Sequence, residues 1–225
     1  MIYLTHTDVL SVMKKEKLVA ILRGVAYEKL DKVVSALVEG GVRVLEFTYD
    51  HDEENCIEET CRKIRRTQEL FGDRLIVGCG TTLTVQEVEA AHEAGASLVI
   101  SPNVDRKVIQ RTRELQMVSM PGALTPTEIV CAYEYGADIV KLFPAGDLGL
   151  SYIKAVRAPL RHIPMAAVGG VKPENVKDFL NAGVCGFGVG GQLLDPKCVE
   201  KDDYAAIAER AKEFTNAICE WVASK

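Results

Sequence analysis

Two side chains stand where an apolar strand should carry none. In DIVKLF (138–143) Lys141 interrupts an aliphatic run, and in VRVLEFT (42–48) Glu46 does the same. An amine in greasy surroundings is pushed toward its neutral form, the form that attacks a carbonyl carbon. A carboxyl group within its reach can carry protons into and out of the addition product. Together they suggest imine chemistry on a ketone. Plainer readings exist for each. The lysine could snorkel to a rim or pair with a helix carboxylate. The two could also form a plain buried ion pair, which is weak evidence for stability because desolvation offsets the attraction.

Other residues extend the pattern toward an anionic substrate. Arg23 closes the apolar run LVAILR (18–23), and its planar fork suits a carboxylate or phosphate. Thr81, in GCGTT, could add a hydroxyl to the same anion, with Gly78 and Gly80 letting the backbone come close. Both could equally be ordinary, a surface arginine past a strand and a loop ahead of a helix cap. Two glycine doublets follow in AVGGV (167–171) and GVGG (188–191). Phosphate sites built from backbone N–H groups occur at such strand ends, although any tight turn uses glycine too.

These residues need a scaffold that brings distant segments to one place. Short apolar runs predict strands at 18–23, 42–48, 75–79, 97–100, 117–120, 138–143, 164–168 and 184–189. Helices are predicted between them at 27–39, 53–70, 84–94, 105–115, 126–135, 149–158, 173–181 and 202–223, with an extra N-terminal helix at 5–16. The cap signals agree. Thr84 precedes Glu87 by three residues and Gly95 ends that helix, while Pro126 and Pro173 stand at first turns. Strict alternation of strand and helix predicts a parallel sheet with right-handed crossovers. Eight units, with no Gly-x-Gly-x-x-Gly after the first strand, predict an α/β fold of a single domain (1–225). Its form is a (β/α)8 TIM barrel covered at one end by the extra helix. Strand period two then puts Val19, Ile21 and Arg23 on one face, as it does Val42, Val44, Glu46 and Thr48, and Ile139, Lys141 and Phe143. Strands two and six are both even, so Glu46 and Lys141 can face each other across the lumen at the C-terminal mouth.

Composition narrows the functional classes. The formal net charge of −5 argues against a nucleic-acid or anionic-membrane binder, which would need a basic surface. No apolar run approaches the roughly 18 residues of a membrane span, and the N-terminus lacks a secretory h-region. The seven cysteines are scattered without CxxC spacing, which reads as reduced cytosolic thiols. The four histidines are far apart, so a sequence-local metal site is not expected.

Taken in order, the motifs VAILRG (19–24), GGVRVLEFT (40–48), VGCGTTLT (77–84), GASLVISPN (95–103), MPGALTPTE (120–128), VKLFPAG (140–146) and VGGVKPENV (168–176) are familiar as a set. The chain resembles the 2-keto-3-deoxy-6-phosphogluconate / 4-hydroxy-2-oxoglutarate aldolases, a class I aldolase family. The resemblance implies Lys141 as Schiff-base nucleophile and Glu46 as catalytic acid/base. It implies Arg23 and Thr81 as carboxylate contacts, and Phe143 and Pro121 as neighbours of the lysine. Gly169, Gly170 and Gly190 fall on the phosphate loops. It also implies a cytoplasmic homotrimer without metal or cofactor, acting on a phosphorylated small-molecule 2-oxo acid.

Three positions depart from the phosphogluconate-type pattern. Asp50 stands where a basic residue is common, Gly191 where serine is common, and Val168 where threonine is common before the glycine pair. The AVGGV block is similar to that of phosphogalactonate-specific relatives. The main expectation is cleavage of a 2-keto-3-deoxy-6-phosphogluconate-type sugar acid to pyruvate and glyceraldehyde 3-phosphate, with 4-hydroxy-2-oxoglutarate as a further substrate. The alternative is the phosphogalactonate-type acid. Two other classes are weighed beside it, a phosphate-binding barrel isomerase or epimerase that uses Lys141 and Glu46 only as acid and base, and a non-catalytic barrel that binds sugar acids.

Overall fold

The structure, a computed structural model, describes residues 4–225. The expected domain span of 1–225 thus includes three residues that lie outside the described ones. Nine short strands form one all-parallel sheet: β1 (Leu18–Leu22), β2 (Val44–Thr48), β3 (Ile76–Gly80), β4 (Leu98–Ile100), β5 (Val118–Met120), β6 (Gly122–Ala123), β7 (Val140–Leu142), β8 (Met165–Val168) and β9 (Gly186–Val189). The sheet order is β5-β4-β3-β2-β1-β9-β8-β7-β6, so its two edges are consecutive in the chain and the sheet nearly closes into a barrel.

Eight strands are predicted and nine are present among the described residues, because the fifth, predicted at 117–120, resumes beyond Pro121 as β6. Met120 pairs with Ile100 of β4 and Gly122 pairs with Lys141 of β7. Proline has no N–H to give to a ladder, so the break falls where the chain transfers from one neighbour to the other. Its carbonyl still serves, accepting from the Lys141 N–H at 2.9 Å.

Helices α1 (His6–Glu16), α2 (Leu30–Glu39), α3 (Cys56–Phe71), α4 (Val85–Glu93), α5 (Arg106–Glu114), α6 (Pro126–Glu134), α7 (Ala145–Arg157), α8 (Val176–Asn181), α9 (Pro196–Glu200) and α10 (Tyr204–Ala223) alternate with the strands. Local chemistry sets their starts. Thr5, Thr84 and Thr125 each accept from the N–H three residues on, and Asp8, Glu87 and Glu128 return the bond. Gly149, at φ 73° and ψ 165°, kinks α7, so the predicted helix start at 149 marks the second segment of a longer element. Helix α9 had no counterpart in the sequence reading; Asp195 caps it and Pro196 opens it.

Strand alternation divides the apolar residues into two cores. Leu18, Ala20, Leu45, Phe47, Val77, Cys79, Val140, Leu142, Met165 and Phe187 face outward and pack with the helices. Val19, Val44, Ile76, Leu98, Val118, Ile139 and Ala166 point inward, and Val9 and Met13 of α1 pack on them from the N-terminal end. Val42 belongs to the outer core, contrary to the predicted alternation, because β2 begins only at Val44.

Candidate active site

All strands are parallel, so the residues at their C-terminal ends share one face of the barrel. Lys141 is the central residue of β7, between Val140 and Leu142, which face the helices. Only 8% of it is exposed. Glu46 occupies the matching position of β2, in register with Ile21 and Gly78, and is 2% exposed. Each feels the charge of the other, yet no nitrogen–oxygen pair between them lies within 4.0 Å. The carboxylate oxygen Oε2 of Glu46 is buried without a hydrogen-bond partner among the described residues.

Gly80 makes room for that carboxylate. A Cβ there would stand 2.1 Å from Oε2 and 2.6 Å from Cδ of Glu46, closer than atoms can come. The close approach trades solvent for backbone, and burial pushes the Glu46 carboxyl up to about 7, against the opposing pull of Lys141 and Arg23. Burial also pushes the Lys141 ammonium below its ordinary range, Glu46 pulls it back up, and Arg23 adds to the lowering. Burial dominates for both, so each is shifted toward its uncharged form, the amine and the acid alike.

The remaining predicted residues surround this pair. Arg23 is exposed one residue past β1 and makes no salt bridge among the described residues. Pro121 is buried, with its carbonyl on the Lys141 N–H. Phe143 lies past the end of β7 and is 40% exposed, but its ring centroid is 4.8 Å from Lys141 Nζ. It covers the lysine from the mouth and is no part of the strand face on which period two placed it.

Thr81 follows Gly80 at a backbone φ of 56°, the left-handed region. A β-branched residue there is an outlier, with a cost of about 1–3 kcal/mol that the surroundings must offset. Val168 is buried at the end of β8, and Gly169 and Gly170 follow at φ 91° and 72°. Gly170 lies against Gly146 in the first turn of α7, where an added Cβ would come within 2.7 Å of the Gly146 Cα. Gly190 and Gly191 follow β9, between β8 and β1 in the sheet. The predicted site residues thus stand at or beyond the strand ends that share one mouth of the barrel, with Glu46 and Lys141 each feeling the charge of the other and of Arg23 and the glycines on the adjoining strand ends.

Two residues escaped the sequence reading. Glu87 was visible only as a helix-capping acid, and His51 only as one of four scattered histidines. In the structure Glu87 is 3% exposed and accepts from three donors. Its Oε2 takes the N–H groups of Leu83 (2.6 Å) and Thr84 (3.0 Å), and its Oε1 lies 2.8 Å from His51 Nε2. The capping motif was the available signal for Glu87; nothing in sequence spacing signals the His51 contact.

A family model described as "Aldolase: KDPG and KHG aldolase" matches residues 9–210. The chain is 38% identical over 180 residues to a protein of Rhizobium meliloti (strain 1021) named "Probable 2-dehydro-3-deoxy-6-phosphogalactonate aldolase", covering 80% of this chain and 82% of that one. It is 32% identical over 196 residues to the "KHG/KDPG aldolase" of Escherichia coli (strain K12), covering 84% of this chain and 87% of that one. A solved structure described as "Native KDPGal structure" superimposes with a TM-score of 0.81 at 34% identity, over 92% of this chain and 96% of that one. No helix among the described residues is long and apolar enough to cross a membrane. The chain belongs to the KDPG and KHG aldolase family, a family of carbon–carbon lyases.

Proposed function

We propose that the protein cleaves a 2-keto-3-deoxy-6-phosphogalactonate-type sugar acid to pyruvate and glyceraldehyde 3-phosphate through a Schiff base on Lys141. The observation that carries the chemistry is the buried Lys141–Glu46 pair at the barrel mouth. The galacto configuration is preferred over the gluco one first expected. It is supported by the 38% identical relative and by Val168, which puts a methyl group where a threonine would offer a hydroxyl. The two sugar acids differ at the carbon whose hydroxyl becomes the aldehyde oxygen. Both give the same products, so an enzyme can tell them apart only before the bond breaks.

The steps follow from the positions. Neutral Lys141 Nζ adds to the 2-oxo carbon, and Glu46 supplies the proton with which the carbinolamine oxygen leaves as water. The iminium then draws the electrons of the C3–C4 bond into an enamine while Glu46 accepts the proton of the C4 hydroxyl and the aldehyde departs. Protonation of the enamine and hydrolysis release pyruvate and restore the lysine. A carboxyl group titrating near 7 is suited to both donation and acceptance. The separation of more than 4.0 Å between Glu46 and Lys141 leaves space for a substrate oxygen between them.

Arg23 and Thr81 would hold the substrate carboxylate, fixing the ketone over the amine. Pro121 and Phe143 would wall the lysine. The backbone around Gly169, Gly170, Gly190 and Gly191 would receive the phosphate, since no protein acceptor takes the N–H groups of Gly170 and Gly191 among the described residues.

Borohydride reduction in the presence of pyruvate tests the imine, with a stable adduct on Lys141 as the expected mass-spectrometric result and an unmodified lysine as the result that removes the Schiff base. Cleavage rates for the phosphorylated galacto and gluco acids and an unphosphorylated 2-oxo acid, measured side by side, test the substrate. Faster turnover of the gluco acid would reverse the assignment.

A further inference from the structure

Thr81 is held in an unfavourable backbone conformation, and the turn around it has few supports of its own. Its hydroxyl makes no hydrogen bond among the described residues. Thr82 donates its N–H to the Ile100 carbonyl at 3.2 Å and its hydroxyl to Cys79 Sγ at 3.3 Å. The next two N–H groups, of Leu83 and Thr84, both end on one oxygen of Glu87. The other oxygen takes His51, in the loop between β2 and α3. That loop is fastened twice more to the same place, by Tyr49 Oη on the Glu87 carbonyl (2.8 Å) and by the Tyr49 N–H on the Gly80 carbonyl (2.9 Å).

We propose that Glu87, braced by His51, is a positioning residue that fixes Thr81 against the substrate carboxylate. It rests on the reading in which Thr81 contacts that carboxylate. One buried carboxylate joins the loop that follows Glu46 to the turn that follows Gly80, so the geometry of the acid and of the threonine is set by a single hub. A helix cap alone needs only the Thr84 N–H. The additional bonds to Leu83 and His51 tie the cap into the mouth.

The role is one of geometry on the carboxylate, which separates it from a general structural one. Lys141 can form an imine with pyruvate and also with hydroxyacetone, which has no carboxylate. The experiment measures borohydride trapping of Lys141 against the concentration of each ketone, in the wild type, Thr81→Ala, Glu87→Gln, His51→Asn and the Thr81→Ala/Glu87→Gln double variant. Half-saturation for pyruvate should rise about tenfold in Thr81→Ala and Glu87→Gln and less in His51→Asn, with hydroxyacetone unchanged in all. The double variant should be no worse than Thr81→Ala alone, because the brace acts only through that side chain.

Equal weakening for both ketones in Glu87→Gln and His51→Asn overturns the proposal, as does full additivity in the double variant. If Glu87→Gln does not fold, His51→Asn, which leaves the helix cap intact, carries the test by the same two criteria. Should Thr81→Ala itself bind pyruvate normally, the carboxylate reading of Thr81 fails. Should Thr81→Ala weaken pyruvate while the Glu87 and His51 variants do not, the brace alone fails.

Discussion

The two ends of the barrel interior are built from the same strands and the same inward faces, and they could hardly be less alike. At the N-terminal end, Val19, Val44, Ile76, Leu98, Val118 and Ile139 close around Val9 and Met13 of α1 in a wholly apolar plug. One strand repeat higher, Glu46 and Lys141 replace two of the aliphatic residues and Gly78 a third, while Ile21, Ile100, Met120 and Val168 keep the other strands apolar. The lower layer stabilises the fold through burial. The upper layer holds two desolvated ionisable groups, an unpartnered carboxylate oxygen and a left-handed threonine, all of which cost stability. The contrast teaches that the lower half makes the upper half affordable, and it can be tested from both ends.

The sharpest break comes from Lys141→Arg. Loss of the nucleophile should lower kcat/KM by roughly a thousandfold or more, and circular dichroism should show a folded chain. Residual turnover near the wild-type rate would mean that the amine is not the nucleophile.

Glu46→Gln should lower kcat by about 10²–10⁴-fold, the range for loss of a positioned acid/base. It should also reveal the cost of the upper layer. The carboxyl titrates near 4.5 when unfolded and about 7 when folded. Below 4.5 it is protonated in both states and costs nothing; as pH rises toward 7 the unfolded state ionises first and gains. The deficit levels off above 7 at about 3 kcal/mol. Denaturant melts should therefore find Glu46→Gln no more stable than the wild type at pH 4 and clearly more stable at pH 8. A pH-independent difference would place the carboxyl in contact with water. In the wild type, kcat/KM should fall as the pH rises through about 7, where the free enzyme loses the Glu46 proton that the carbinolamine oxygen takes as it leaves.

Met13→Ala probes the lower layer, and should cost about 2–5 kcal/mol of stability with kcat unchanged. A large loss of kcat without a change in stability would mean that the plug also shapes the mouth. The smallest effect is expected of Val168→Thr, which should shift the ratio of galacto to gluco cleavage by roughly tenfold toward gluco. An unchanged ratio would move epimer selection elsewhere in the site.

Much of this was legible in residue order. The strands and helices announce themselves through periodicity and caps, and an inward Lys141 and Glu46 follow from period two once the barrel is assumed. The break at Pro121 was less legible. The motif MPGAL shows a proline, but only closure of the sheet shows that the chain changes partners there. The kink at Gly149 and the short α9 were missed because a single turn has too little periodicity to detect. The substrate reading changed through whole-chain similarity, with Val168 and its block as the local hint.

By itself the sequence determined that Lys141 and Glu46 share a face with the inward aliphatic residues and where the threonine-capped helices begin, since strand period and capping act over two to four residues. Tertiary structure alone decided that Glu46 lies over Gly80 with one oxygen unpartnered, that its charge and that of Lys141 are felt across the lumen, and that Glu87 reaches His51 36 residues away. Desolvation and contact depend on what surrounds a group in space, and closing a sheet into a barrel sets those neighbours in a way no local pattern encodes.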